Sequence, residues 1–63
     1  MNDTLEYLME EIEDRRKAII ESLGDGAAKS YDEYRYTAGM VRGLLTVQSL
    51  ISDLAKRMEN SNE

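Results

Sequence analysis

Residues 36–58 read YTAGMVRGLLTVQSLISDLAKRM, and their spacing decides the fold. Met40, Leu44, Val47, Ile51, Leu54 and Met58 alternate by four and three positions, the register of a helix whose apolar seam meets another helix. No proline interrupts the chain, so this helix is expected to run from about residue 30 to residue 58 or 59, about 28 residues and ~42 Å at 1.5 Å per residue. Placed at 100° intervals, its apolar residues run from Leu50 through Leu44 and Ile51 to Leu45 and Ala38. That arc exceeds half the circumference, whereas a surface helix with one neighbour needs a stripe of only about 100°. At least two neighbours are implied, with Arg35, Arg42, Thr46, Ser49 and Asp53 left as a narrow solvated strip.

Working back from that helix, Ser30-Tyr31-Asp32-Glu33 has the spacing of a capping box, in which serine hydroxyl and glutamate carboxylate satisfy free backbone amides. Gly24-Asp25-Gly26 precedes it and predicts a helix stop, since glycine enters the left-handed conformation at little cost. Upstream, Leu5, Leu8, Met9, Ile12, Ile19, Ile20 and Leu23 recur at helical spacing, predicting a first helix over residues 4–23, ~30 Å long. Asp3 is the expected N-cap, with Glu6 three positions on. Glu11 with Arg15 and Glu13 with Lys17 stand in the favourable four-apart order for helix ion pairs. The chain is therefore expected to be all-α: one domain over residues 1–63, with a first helix, a turn at 24–29, a longer second helix and a frayed tail at 60–63. An antiparallel hairpin assembling into a dimeric four-helix bundle or higher oligomer is the predicted architecture.

Size supports association. A chain of 63 residues buries only about 60% of its unfolded surface, and small domains recover stability from disulfides, metals or partners. With neither cysteine nor histidine in the chain, the first two routes are nearly closed, and a homo-oligomer, a dimer in the first instance, is the expected partner. Thirteen acids against eight bases give a net charge of −5, which disfavours nucleic acid and anionic membrane. The residues after Met1, Asn2-Asp3-Thr4, do not read as a secretory signal, and a cytoplasmic location is expected.

Other residues admit two readings each. Gly39 and Gly43, four apart beside the seam, each cost about 1 kcal/mol relative to alanine in a helix. They indicate close packing against helix one or a sister chain, or else a local accommodation. Tyr31, Tyr34, Arg35 and Tyr36 form a candidate partner contact, because Tyr and Arg dominate binding hot spots; alternatively the rings cap the end of a small core. Glu10 and Glu13 are three apart, but di-iron bundles pair such glutamates with histidine, so neither metal nor other cofactor is expected. The six acids among the first fourteen residues read as a solvated face or as a decoy for a basic protein surface. Without histidine, and with Ser22, Ser30, Ser49, Ser52 and Ser61 outside any nucleophile context, an enzyme is not expected.

Glu21-Ser22-Leu23-Gly24, Ala28-Lys29-Ser30-Tyr31-Asp32-Glu33-Tyr34-Arg35-Tyr36 and Gly39-Met40-Val41-Arg42-Gly43-Leu44 together resemble short helical-hairpin proteins encoded by tailed bacteriophages. The resemblance spans Ile20 to Met58 and carries no defined activity. It implies a phage origin, and hence a virion component, an assembly accessory or a small host-directed protein, working in the host cytoplasm or built into the particle. The predicted function is accordingly protein binding: self-association through helix two at Gly39, Met40, Gly43, Leu44, Val47, Ile51, Leu54 and Met58, with a larger virion or host protein as second partner. The alternative is an acidic inhibitor seated on a basic surface of a host enzyme or defence protein.

Overall fold

The computed structural model describes residues 2–61 and consists of two α-helices, α1 over Asp3–Gly24 and α2 over Tyr31–Ser61. Their lengths, 22 and 31 residues, correspond to ~33 and ~46 Å, so α1 leaves part of α2 without a partner along the hairpin axis. Each helix end has a local cause. Asn2, rather than the expected Asp3, caps α1: its backbone is extended, and its Oδ1 accepts the amides of Thr4 at 2.8 Å and Leu5 at 3.2 Å. Asn and Asp cap equally well, and the earlier candidate wins while Asp3 becomes the first helical residue, where its charge suits the dipole.

The stop after α1 belongs to Gly26, whose φ of 83° is the left-handed value that excludes most side chains. Around it, Ala27 N–H donates to the carbonyl of Ser22 at 3.0 Å and Gly26 N–H to that of Leu23 at 3.1 Å. This pair of bonds is the Schellman closure of a helix C-terminus. Gly24 is simply the last helical residue.

At the start of α2 the serine arm forms as expected, Glu33 N–H donating to Ser30 Oγ at 3.1 Å. The carboxylate arm closes one residue earlier than expected, since Glu33 Oε2 accepts from Lys29 N–H at 2.6 Å. At the far end α2 continues through Asn60 and Ser61, two positions expected to fray; residues 62 and 63 lie outside the described residues.

The helices pack as an antiparallel pair. Buried and half-buried positions fall on one side of each helix, at Leu5, Met9, Ile12, Ile19 and Leu23 of α1 and at Val41, Leu44, Gln48, Ile51 and Ala55 of α2, which marks the faces turned to each other. Only Ile12, Ile51 and Ala55 are buried hydrophobics among the described residues. The result is a plate of 51 × 17 × 11 Å with a Cα radius of gyration of 14.9 Å, where a compact chain of this length has about 11 Å. It exposes 5081 Å², against about 4,100 Å² for a compact monomer of this mass. Roughly 1,000 Å² is surface that a globular fold of the same size hides.

Candidate interaction surface

On α2 the line of contact with α1 is turned away from the centre of the predicted seam. Ile51 is 7% exposed and Leu44 half-buried, because α1 covers this flank of the seam. On the other flank Met40, Val47, Leu54 and Met58 remain exposed. Leu50, 62% exposed, and Tyr36, 73% exposed, extend that open flank. The predicted association residues therefore divide: Leu44 and Ile51 hold the hairpin, Met40, Val47 and Leu54 present an uncovered stripe, and Met58 is partly exposed at its far end.

The stripe borders a groove between the helices. Near the turn it is lined by residues including Ile19, Leu23, Ala28, Tyr36 and Met40, with a volume of about 530 Å³. Farther along, Arg15, Ala18 and Ile19 of α1 face Met40, Gly43, Leu44 and Val47 of α2 across a further 650 Å³. Ile19 and Met40 belong to both stretches, so the depression is continuous. Its walls are mainly aliphatic and shallow, shaped for a helix edge rather than for a small polar substrate.

The glycines sit on the same side of α2. A Cβ built on Gly39 or Gly43 meets nothing within 4 Å, which removes close approach of helix one as their reason. A sister chain or a local accommodation remain from the sequence reading. On the opposite flank Leu45 and Ile20 are also exposed.

The tyrosine cluster separates into two parts. Tyr31 and Tyr34 stack with ring centroids 6.4 Å apart and 27° between planes, and the Arg35 guanidinium lies 6.0 Å from the Tyr31 centroid. These three form an exposed aromatic and cationic knob at the first turns of α2. Tyr36 instead lines the groove.

Away from the groove, a polar pin joins the helices at mid-height. Glu13 Oε1 accepts from Arg16 Nη2, and Glu13 Oε2 accepts from Gln48 Nε2 at 2.8 Å across the hairpin. Neither Lys17 nor the Glu10 spacing captures this carboxylate by hydrogen bond; the three-apart partner Arg16 does, because it alone shares the flank that meets α2. Sequence periodicity cannot find such a contact, since Glu13 and Gln48 are 35 positions apart. Arg16 Nε, shut off from solvent, has no hydrogen-bond partner among the described residues, so part of the pin's contribution is offset.

The hydrogen bonds from Arg16 and then from Gln48 hold the Glu13 carboxyl down to about 2 from its ordinary 4.5; partial burial opposes them, and the charges of Arg16 and Lys17 assist. A depressed carboxyl stabilises the fold fully above its unfolded value and loses that contribution as pH falls from 4.5 toward 2. Glu13→Gln is expected to lower the urea midpoint at pH 7, with the difference from wild type shrinking through that window and vanishing near its acid end. Parallel titration curves for the two proteins contradict the assignment.

Glu6, Glu10, Asp14 and Glu21 are exposed along the face of α1 turned from α2. Neither helix is long and apolar enough to cross a membrane. The chain matches no family model, and no curated protein or solved structure matches it significantly.

Proposed function

We propose that the protein is a non-enzymatic interaction module that self-associates through α2 and works as a small structural or assembly accessory of a tailed phage. One observation carries the binding role: the hairpin buries Ile12, Ile51 and Ala55 and leaves a continuous apolar flank of α2 in water. A flank of that kind on a chain this small marks an interface. The phage assignment rests on the resemblance of residues 20–58. The Tyr31, Tyr34 and Arg35 knob stands at the turn end, clear of the self-association stripe, and offers a second contact for a larger virion protein.

Coexpression with capsid, portal and neck proteins tests the assembly role. A stoichiometric complex that Tyr31→Ala or Arg35→Ala weakens is the expected result. No complex, together with absence from purified particles, removes the virion role.

A second reading is supported by the outward row of acids on α1. In that reading Glu6, Glu10 and Asp14 occupy a basic groove on a host enzyme or defence protein, and association rates fall with salt. Reversing these three charges abolishes binding by an inhibitor and leaves an assembly module competent. None of the three lies at the contact with α2, so their reversal separates the two readings without unfolding the hairpin.

A further inference from the structure

The open flank of α2 has a heptad spacing of its own. Tyr36, Met40, Gly43, Val47, Leu50 and Leu54 alternate by four and three positions, and every one is exposed. This line runs beside the Leu44 and Ile51 line that α1 covers, so α2 carries two adjacent seams and the hairpin fills one. Laid antiparallel on itself and centred on Leu45, the open seam sets Tyr36 against Leu54, Met40 against Leu50 and Gly43 against Val47. Each layer then joins a larger side chain to a smaller or differently shaped one, as close packing of facing helices requires.

Other alignments fail on chemistry. A slip by one heptad brings either Arg57 opposite Met40 or Glu33 opposite Leu50, placing a charge against the apolar seam. A parallel pairing stacks Gly43 on Gly43 and leaves a void there, whose lining loses its contacts. It also brings the acid-rich first halves of the two α1 helices to the same end. The antiparallel pairing holds those ends apart and opposes the helix dipoles. Arg15, which lines the groove near Leu44, then stands close to the symmetry axis.

The area agrees. The hairpin as a whole exposes roughly 1,000 Å² more than a compact monomer of its mass, and a standard stable interface takes ~800 Å² from each partner, so covering one flank would remove an area of the same order.

We propose that the occupant of this stripe is α2 of a second copy, running antiparallel in the register that sets Gly43 against Val47. The proposal rests on the self-association put forward above and adds its orientation, its register and a reason for Gly43. A methyl at that position meets Val47 of the other copy, whereas in the lone hairpin it meets nothing within 4 Å.

The chain has no cysteine, so engineered cysteines report pairing without background. In this register Met40 lies opposite Leu50 of the other copy and about 15 Å along the axis from its own twin, beyond disulfide reach. Mixing Met40→Cys with Leu50→Cys protein under mild oxidation should give at least tenfold more cross-linked product than either variant alone. Gly43→Met should weaken self-association tenfold or more, although methionine is the better helix former. Cross-linking of Met40→Cys by itself overturns the antiparallel register. So does a mixture that gives no product while light scattering still reports a dimer; in both cases self-association survives. A wild-type protein that stays monomeric at every concentration overturns self-association and the register together.

Discussion

Val47→Asp is expected to raise the dissociation constant of the dimer more than a hundredfold, corresponding to about 3 kcal/mol. Val47 is 41% exposed in the hairpin and faces the groove rather than the hairpin's buried residues, so a carboxylate there meets water in the separated chain. In the pair it lies at the centre of the stripe, and symmetry puts two such charges into one apolar seam. Burying an unpaired charge costs several kcal/mol unless it is neutralised. Sedimentation of wild type and variant across a concentration series measures the effect. Unchanged association of Val47→Asp means that the interface lies elsewhere, the Leu45 and Ile20 flank being the next apolar surface.

Ile51→Ala is expected to destroy the fold by the other route. Ile51 is among the three buried hydrophobics of the described chain, and truncating a buried isoleucine to alanine costs about 2–5 kcal/mol. A domain this small holds only about 3–5 kcal/mol from its own core, so the variant should lose most of its helical circular dichroism at 25 °C. Leu54→Ala, at a position 47% exposed, should keep its helix content at high protein concentration and shift dissociation, with the loss of helix that accompanies it, to higher concentration than in wild type. Equal effects of the two substitutions contradict the division of the seam into a hairpin flank and an open flank.

That division marks the limit of what the sequence reveals. Two helices, the longer one second, follow from the apolar periodicity of residues 5–23 and 40–58, and the turn follows from Gly26. The Ser30 cap was equally legible, because its geometry is local. Where two adjacent residues cap equally well, as Asn2 and Asp3 do, chemistry alone does not choose. The extension of α2 through Ser61 escaped for a related reason: Asn60 and Ser61 are poor helix formers, and their propensities cost a few tenths of a kcal/mol, too little to end a helix already formed.

The direction in which α1 sits on α2 was not legible. The apolar arc of α2 is wide enough to receive a neighbour at several angles, so Leu44, Val47, Ile51 and Leu54 read as one surface. Placing α1 over Leu44, Ile51 and Ala55 turned that surface into two. Gly39 and Gly43 changed meaning at the same step, since the space beside them leaves helix one no part in explaining them. The Glu13, Arg16 and Gln48 pin depends on that same angle, and no spacing rule reaches across the turn to find it.

Sedimentation equilibrium and far-ultraviolet circular dichroism, recorded on one dilution series from hundreds of micromolar to well below one micromolar, test the central claim most directly. The account predicts twice the chain mass at the top of the series, helix content that falls in step with dissociation, and an unfolding midpoint that rises with protein concentration. A chain that keeps the mass of one copy and its full helix content from end to end contradicts it.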